Sequence, residues 1–477
     1  VLGFICDSEQ FLHWFIIPVT LSGVLMGTDV VDWFQGRLNL FDPIAILGLL
    51  GVHFFFLAPL LHIAWDSWMD VTAVPGDWRT WLGAMAALNL LGLLIYRLVR
   101  DLGSVPENSP TNRSIWRLNW RRFPMLLGFA LALSAVLQIQ VYQHFGGILG
   151  YITTATDPTI AVEAGRGMGP LFMISESFPM LAMIGFVAYA RRHKTWRTWT
   201  VLSVVMLIFL VLLLFFGGLK GSRSTTIWAL FWAIGMIHFW VRPISKKIIA
   251  LGLIFLVGFM YMYGFYKSGG LEGFRSALES SQERIALEER SGRTWDVLLL
   301  QDLGRSDLQA YILYRLMQSE NDYDYGFGRT YYAALSIMIP PSLWPDKPLP
   351  KTKEGTEVLY GPGSYVPGIW TSSKVYGLAG EAMLNFGPLA VPLAFVVLGL
   401  LVGRVRHYLL TLDPSDVRLL LLPLMINFCF VVLASDLDND IFFLFSKGFA
   451  PFLLLLFSSQ IYDVKNTPSL QSNPLKF

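Results

Sequence analysis

Charge is what this 477-residue sequence has least of: only 15% of its residues are Asp, Glu, Lys or Arg, while 54% are hydrophobic. A soluble domain carries about a quarter charged residues, so this chain is short of the charge needed to cover a water-facing surface. Cysteine is nearly absent. Cys6 and Cys429 alone form no disulfide framework and no metal-ligand spacing, and Cys429 falls in an apolar run that suits a small buried hydrophobe. The net charge of +2 provides no footprint for nucleic acid, and none is expected as a partner. No internal repeat is visible, and no matching pair of broken helices in two halves of the kind transporters often carry. The sequence starts at Val1 without a charged n-region, so no signal peptide is read and one more helix is expected to precede it.

What is present is long apolar blocks. Runs such as 198–216, 248–265 and 417–434 approach or exceed the ~18 residues that cross a bilayer core as helix. The expected fold class is therefore an all-α polytopic integral membrane protein. Eleven candidate spans lie at 10–27, 42–63, 79–98, 122–142, 170–190, 198–216, 224–241, 246–265, 386–405, 417–434 and 441–458, or twelve spans with a helix ahead of Val1. Cations in short loops orient them. The linker 97–122 holds six arginines, 191–197 ("RRHKTWR") five basic side chains counting His193, and 404–418 three arginines. The alternate loops 66–77 and 435–440 ("SDLDND") are net acidic. Basic and non-basic loops alternate, which places the C-terminus in the cytoplasm.

On that topology one long segment, 266–385, lies outside between the eighth and ninth spans, and a loop of that length is expected to be a folded lid. Four parts follow: an N-terminal bundle over 1–265, the outer lid 266–385, C-terminal spans over 386–460 and a cytoplasmic tail 461–477. Within the lid, "LEGFRSALESSQERIALEER" and "DLGRSDLQAYILYRLMQS" carry helical apolar stripes. After residue 320 the composition turns to Tyr, Pro and Gly and predicts loops.

The break "GGLKGSRS" at 217–224 sits on the same outer side and places Lys220 and Arg223 between two apolar runs. Arginine offers a planar fork suited to phosphate oxygens, and glycines let backbone N–H groups approach an anion. A snorkelling pair anchored to lipid headgroups is the plainer reading. Arg293 opens "RTWDVLLLQDLG", which an ordinary amphipathic helix also explains. Glu176 and Lys447 lie inside spans, about six residues or roughly 9 Å from the outer end at the helical rise. Intramembrane charges face each other or a cavity, so the two either pair across the bundle or line a polar chamber. Glu381, in "GLAGEAMLNFG", stands just ahead of a span and suits either a catalytic base or helix capping. The acids of "SDLDND" have metal-compatible spacing but also make an ordinary acidic loop. Tyr323, Tyr325, Tyr331, Tyr332, Trp344, Tyr360, Tyr365 and Trp370 suit sugar stacking or an interfacial aromatic belt.

Taken together, the spans, the late outer segment, "GSRS" before a span, "PPSLWPDKP" and "GEAMLNFG" resemble the bacterial oligosaccharide repeat-unit polymerases, the Wzy-type O-antigen polymerases. The resemblance implies a GT-C-like inner-membrane glycosyltransferase with its active site facing the periplasm. Such an enzyme moves a growing glycan from undecaprenyl pyrophosphate to a newly flipped lipid-linked unit, with no cofactor and no metal. It implies the lipid-linked donor and acceptor and the bilayer as partners, with a chain-length regulator protein as a further one. Some members bind substrate through outer segments of the form Arg, ten residues, Gly. Arg293 and Gly304 fit that spacing, whereas Gly235 follows Arg223 after eleven residues. On this basis Arg223, Lys220 and Arg293 are assigned to the pyrophosphate, Glu381 to the acceptor hydroxyl, and Glu176 and Lys447 to substrate binding. An O-antigen ligase, which moves finished glycan to lipid A core, shares these features. A lipid-linked sugar flippase is the alternative outside enzymes, and it would need polar residues through both leaflets.

Overall fold

The computed structural model describes residues 9–69, 73–102, 114–156, 168–220, 223–279, 282–286, 294–318, 323–339, 343–349, 351–366 and 374–463. Among them eight helices are long and apolar enough to cross a membrane: Ile16–Phe34, Pro43–Ala64, Trp78–Leu102, Phe123–His144, Gly169–Arg192, Lys246–Tyr266, Ala390–Thr411 and Leu437–Ser458. Trp199–Phe215, Thr226–Trp240 and Leu422–Ala434 are shorter apolar helices at the remaining expected spans. The chain is a helical, polytopic membrane protein. It divides into two compact units, one made of Val1–Pro106, Asp296–His407 and Phe428–Phe442, the other of Glu107–Trp295, Tyr408–Asn427 and Phe443–Phe477.

In the first unit, the Ile16–Phe34 helix sits several residues later than the expected span at 10–27. The shift is explained by its acids. A carboxylate in an apolar helix argues for ending the span before Asp29, but Asp29 is buried against Arg97 Nη2 at 3.0 Å and Arg100 Nη1 at 2.8 Å on the Trp78–Leu102 helix. A buried charge is tolerated when paired and hydrogen-bonded. The next helix starts conventionally: the Asp42 side chain accepts from the Ile44 N–H at 3.0 Å ahead of Pro43, and Arg406 Nε lies 3.2 Å from its other oxygen. Burial pushes the Asp42 carboxyl up, and Arg406 and the Ile44 N–H pull it back only in part.

The Ser306–Met317 helix is the centre of this unit. It packs on Trp78–Leu102 and is flanked by Lys351–Tyr360 and Gly377–Phe386. Its residues 306–313 are all buried, Ser306, Asp307 and Gln309 included. The loops expected after residue 320 are corrected here, since Arg329–Ser336 and Lys351–Tyr360 are helices. Gly328, at φ 91° in the left-handed region, turns the chain into the first of them, and Pro345 and Pro348 fall in the non-helical described stretch 343–349 between the two.

In the second unit, Phe123–His144 packs against the two halves of Gly169–Arg192 and against Phe449–Ser458, and Arg223–Trp240 packs against Phe178–Arg192 and Trp199–Phe215. Trp232 Nε1 donates to the Leu420 carbonyl at 2.6 Å and Trp240 Nε1 to that of Asp416 at 3.2 Å. The Lys246–Glu279 helix runs beyond its apolar part and is interrupted at Gly270, φ 62°. One element departs from the all-α expectation. Ser114–Leu118 and Ser459–Asp463 pair as an antiparallel ribbon in the register Ser114 with Asp463 through Leu118 with Ser459. Arg418 Nη2 ties the ribbon down by donating to the Ser114 carbonyl at 2.6 Å and to Asp416 Oδ2 at 2.7 Å.

Candidate functional site

Of the site residues expected from the sequence, Glu381 falls in a polar cluster of the first unit and Glu176 with Lys447 in one of the second. In the first unit the cluster forms where the Gly377–Phe386 helix begins. Asp436 Oδ1 accepts the N–H groups of Tyr376 and Gly377, both at 2.9 Å. Its Oδ2 pairs with Lys351 Nζ, which also reaches Asp438 Oδ1 at 2.9 Å. Gly377 has φ 72°, a value that glycine takes without strain, and this allows both amides to converge on one oxygen. Of the acidic loop, then, Asp436 and Asp438 are engaged by a lysine and by backbone. Burial disfavours the Lys351 charge, yet the two aspartates outweigh it and hold the ammonium above its ordinary value.

Glu381 is the fifth residue of the same helix and is buried. Its Oε1 accepts from the Thr330 hydroxyl and its Oε2 from the Leu437 N–H, both at 2.7 Å. Asn385, one turn on, donates to the Thr330 Oγ1 at 2.7 Å and to the Glu381 carbonyl at 2.9 Å, and accepts from the Gly328 N–H at 2.9 Å. Burial, then the neighbouring Asp436 charge, push the Glu381 carboxyl up to about 8, against the lowering effects of Thr330, Leu437 and Lys351. Buried Asp440 adds a carboxylate oxygen, Oδ1, that has no hydrogen-bond partner among the described residues. The cluster thus combines a fixed cation with a carboxyl that exchanges its proton near neutrality, which is what a general base requires.

Thr330, Lys351 and Asn385 were not singled out from the sequence, and Asp440 was read there only as one of the acids of "SDLDND". Asn385 alone left a trace, being spaced four residues from Glu381 on one helical face. Thr330 and Lys351 come from distant stretches of chain whose convergence no local pattern encodes.

In the second unit Glu176 and Lys447 meet: Lys447 Nζ donates to Glu176 Oε2 at 3.1 Å. Both sit at irregularities. Glu176 ends the Gly169–Ser175 helix one residue before Ser177 opens the next, and Lys447 lies in the π-helical turn Leu444–Gly448. Such turns are rare and occur often at functional sites. The pair lines a cleft with Ser177, Trp228, Trp232 and Phe443, and about 20 Å³ of it is open to the centre of a water molecule, room for roughly one. Of the two expectations for this pair, mutual pairing and a polar chamber, the contact is made and the space is small.

The glycine-rich break begins at this pair. A Cβ on Gly217, φ 109°, would stand 2.7 Å from Glu176 Cδ. Its carbonyls are held by tyrosines: Tyr142 donates to Phe215 O, Tyr263 to Gly218 O, and Tyr266 to Leu219 O at 2.9 Å. Lys220 ends the short turn Gly218–Lys220 and Arg223 starts the helix whose Trp228 and Trp232 line the cleft. The side chains of Lys220 and Arg223, and all of Arg293, lie outside the described residues. No family model matches this chain, and neither curated proteins nor solved structures contain a match to it.

Proposed function

We propose that this protein is a membrane glycosyltransferase that polymerises undecaprenyl-pyrophosphate-linked oligosaccharide units. The observation that carries the reading is Glu381: a buried carboxyl outside the spans, aimed by Thr330 and Leu437 and holding its proton up to about 8. The sequence resemblance of "GEAMLNFG" and "GGLKGSRS" to the repeat-unit polymerases supplies the reaction class. In that reaction an acceptor sugar hydroxyl loses its proton to Glu381 as its oxygen bonds the donor's anomeric carbon. The bond from that carbon to the lipid pyrophosphate breaks, and the pyrophosphate leaves with the electron pair. Lys220, Arg223 and Arg293 are proposed to neutralise the leaving group, since preorganised cations there supply the largest electrostatic contribution. Glu176 and Lys447 are proposed to shape the cleft beside the break.

On this proposal the protein sits in the bacterial inner membrane with eleven spans in a GT-C-like arrangement and its site facing the periplasm. The deciding experiment is polymerisation of a purified lipid-linked repeat unit by the reconstituted protein. The wild type should build a glycan ladder while Glu381→Gln and Arg223→Ala should not. A ladder of normal length from Arg223→Ala would remove that residue from the mechanism. Single repeat units on lipid A core in a deletion strain indicate a lost polymerase, whereas core without glycan indicates a lost ligase.

A further inference from the structure

The helix Arg329–Ser336 is built inside out for a helix in water. Thr330, Ala333, Ala334 and Ser336, small or polar, face the protein, and Thr330 donates to Glu381. Tyr332, Leu335 and, one turn further, Ile339 face outward at helical spacing, with Leu335 66% exposed. Arg329 heads this outward stripe but turns its guanidinium onto Glu354 Oε1 and Asp324 Oδ2, both at 3.0 Å. Just ahead, Phe327 is 75% exposed and held at φ 43°, a conformation unusual for a bulky side chain. An aqueous surface gives no reason to spend a strained residue on projecting a phenyl ring outward.

The same surface continues into a span. Phe386 packs on Tyr331 with ring centroids 6.2 Å apart, and it is followed by Leu389, Leu393, Val397 and Leu400, an exposed stripe on one face of the Ala390–Thr411 helix and its entry turn. Leu393 is 66% exposed, as Leu335 is, and its partner in an apolar span is the lipid chain.

We propose that Phe327 and the outward face of Arg329–Ile339 lie in the bilayer interface, in the leaflet where the N-terminal end of Ala390–Thr411 emerges. Tyr332, whose ring meets Trp344 edge-on at 5.9 Å, sits at headgroup level in the manner of interfacial aromatics. The helix then lies in the membrane plane with its apolar face toward the acyl boundary and its small-residue face over Glu381. A substrate carried on a lipid reaches that carboxyl from the bilayer rather than from bulk water. Membrane seating and catalysis fail separately, because the test reads accessibility without turnover.

Nitroxide labels placed by Tyr332→Cys, Leu335→Cys, Leu393→Cys and Asp346→Cys, on a Cys6→Ser background that leaves buried Cys429 in place, report this in lipid nanodiscs. Labels at 332 and 335 should relax faster with oxygen than with a water-soluble nickel chelate, as at 393, and the exposed position 346 should show the reverse order. If 332 and 335 follow 346 while 393 reports lipid, the helix lies in water and the proposal is wrong.

Discussion

Glu381 holds its proton because burial, and after it the neighbouring Asp436 charge, disfavours the carboxylate, and that has consequences for stability as well as rate. The unfolded chain releases this proton near its ordinary 4.5, the native protein only near 8. Between those values the native state binds more protons, so stability is greatest below the lower one and is lost as pH rises through the window. Each unit of displacement is worth about 1.4 kcal/mol. Thermal unfolding in detergent at pH 5 and pH 9 should therefore show Glu381→Gln losing less on alkalinisation than the wild type. Asp42, raised in the same direction, leaves some slope behind. Under the proposed function turnover carries the opposite dependence, because only the carboxylate accepts a proton. The wild-type rate should climb toward about pH 8 and flatten above it, and Glu381→Gln should lose on the order of 10²–10⁴-fold in rate, the usual contribution of a general base. A variant with a normal ladder and an unchanged pH profile would remove Glu381 from the chemistry. For Glu176 and Lys447 the relevant quantity is coupling. Removing either partner strands a charge against apolar neighbours, whereas removing both leaves none. Glu176→Gln with Lys447→Met should unfold closer to the wild type than either single variant, with an interaction energy of roughly 0.5–3 kcal/mol in the cycle; strictly additive losses would mean that the contact contributes nothing.

The stretch 215–220 shows what a sequence pattern conveys about an element and where it stops. Two apolar runs with glycines between them announce a break, and the apolar helices lie on either side of it. That the break abuts Glu176 was hidden, because it depends on a helix some 40 residues upstream ending at that carboxylate. The three tyrosines on its carbonyls were equally hidden: no local pattern ties the hydroxyls of Tyr142, Tyr263 and Tyr266 to acceptors that lie 73, 45 and 47 residues away in the chain. Gly217 concentrates both constraints. Alanine there would keep an unfavourable φ of 109° and bring its Cβ to 2.7 Å from Glu176 Cδ, for a cost of about 1–3 kcal/mol. Gly252, within a span and with open space where its Cβ would be, should tolerate alanine with no loss. Comparing Gly217→Ala with Gly252→Ala by thermal unfolding tests this: equal midpoints would show that the break yields freely. Similarly, the small and polar inner face of Arg329–Ser336 explains why it was expected as loop, since its tyrosines and alanines form no inward apolar stripe.

Across the whole chain, hydropathy located the apolar segments because a bilayer demands long unbroken runs and punishes exceptions. It misplaced the first span, where Arg97 and Arg100 make Asp29 acceptable, and it missed the ribbon, whose strands are five residues each and lie far apart in sequence. The ribbon gives the loop-charge topology an independent test. Ser114–Leu118 follows the first cluster of arginines and Ser459–Asp463 follows the last span, so the alternation of basic loops puts both on the cytoplasmic side. Arg117 and Gln460 are direct partners and both exposed. Antiparallel partners stand about 4.5–5.5 Å apart at Cα, within the range a disulfide spans. Arg117→Cys with Gln460→Cys, with Cys6 replaced by Ser, should cross-link on mild oxidation and slow migration no further when the pair is shifted to Arg117→Cys with Tyr462→Cys. Each single variant should react with a membrane-impermeant maleimide from the side opposite to one at Val74→Cys, in the acidic loop between the second and third expected spans. Labelling of 117 and 460 from the periplasm and of 74 from the cytoplasm would invert the assignment of every loop and move the glycine-rich break to the cytoplasm, where the proposed periplasmic polymerase has no use for it, and labelling of all three from one side would break the alternation itself.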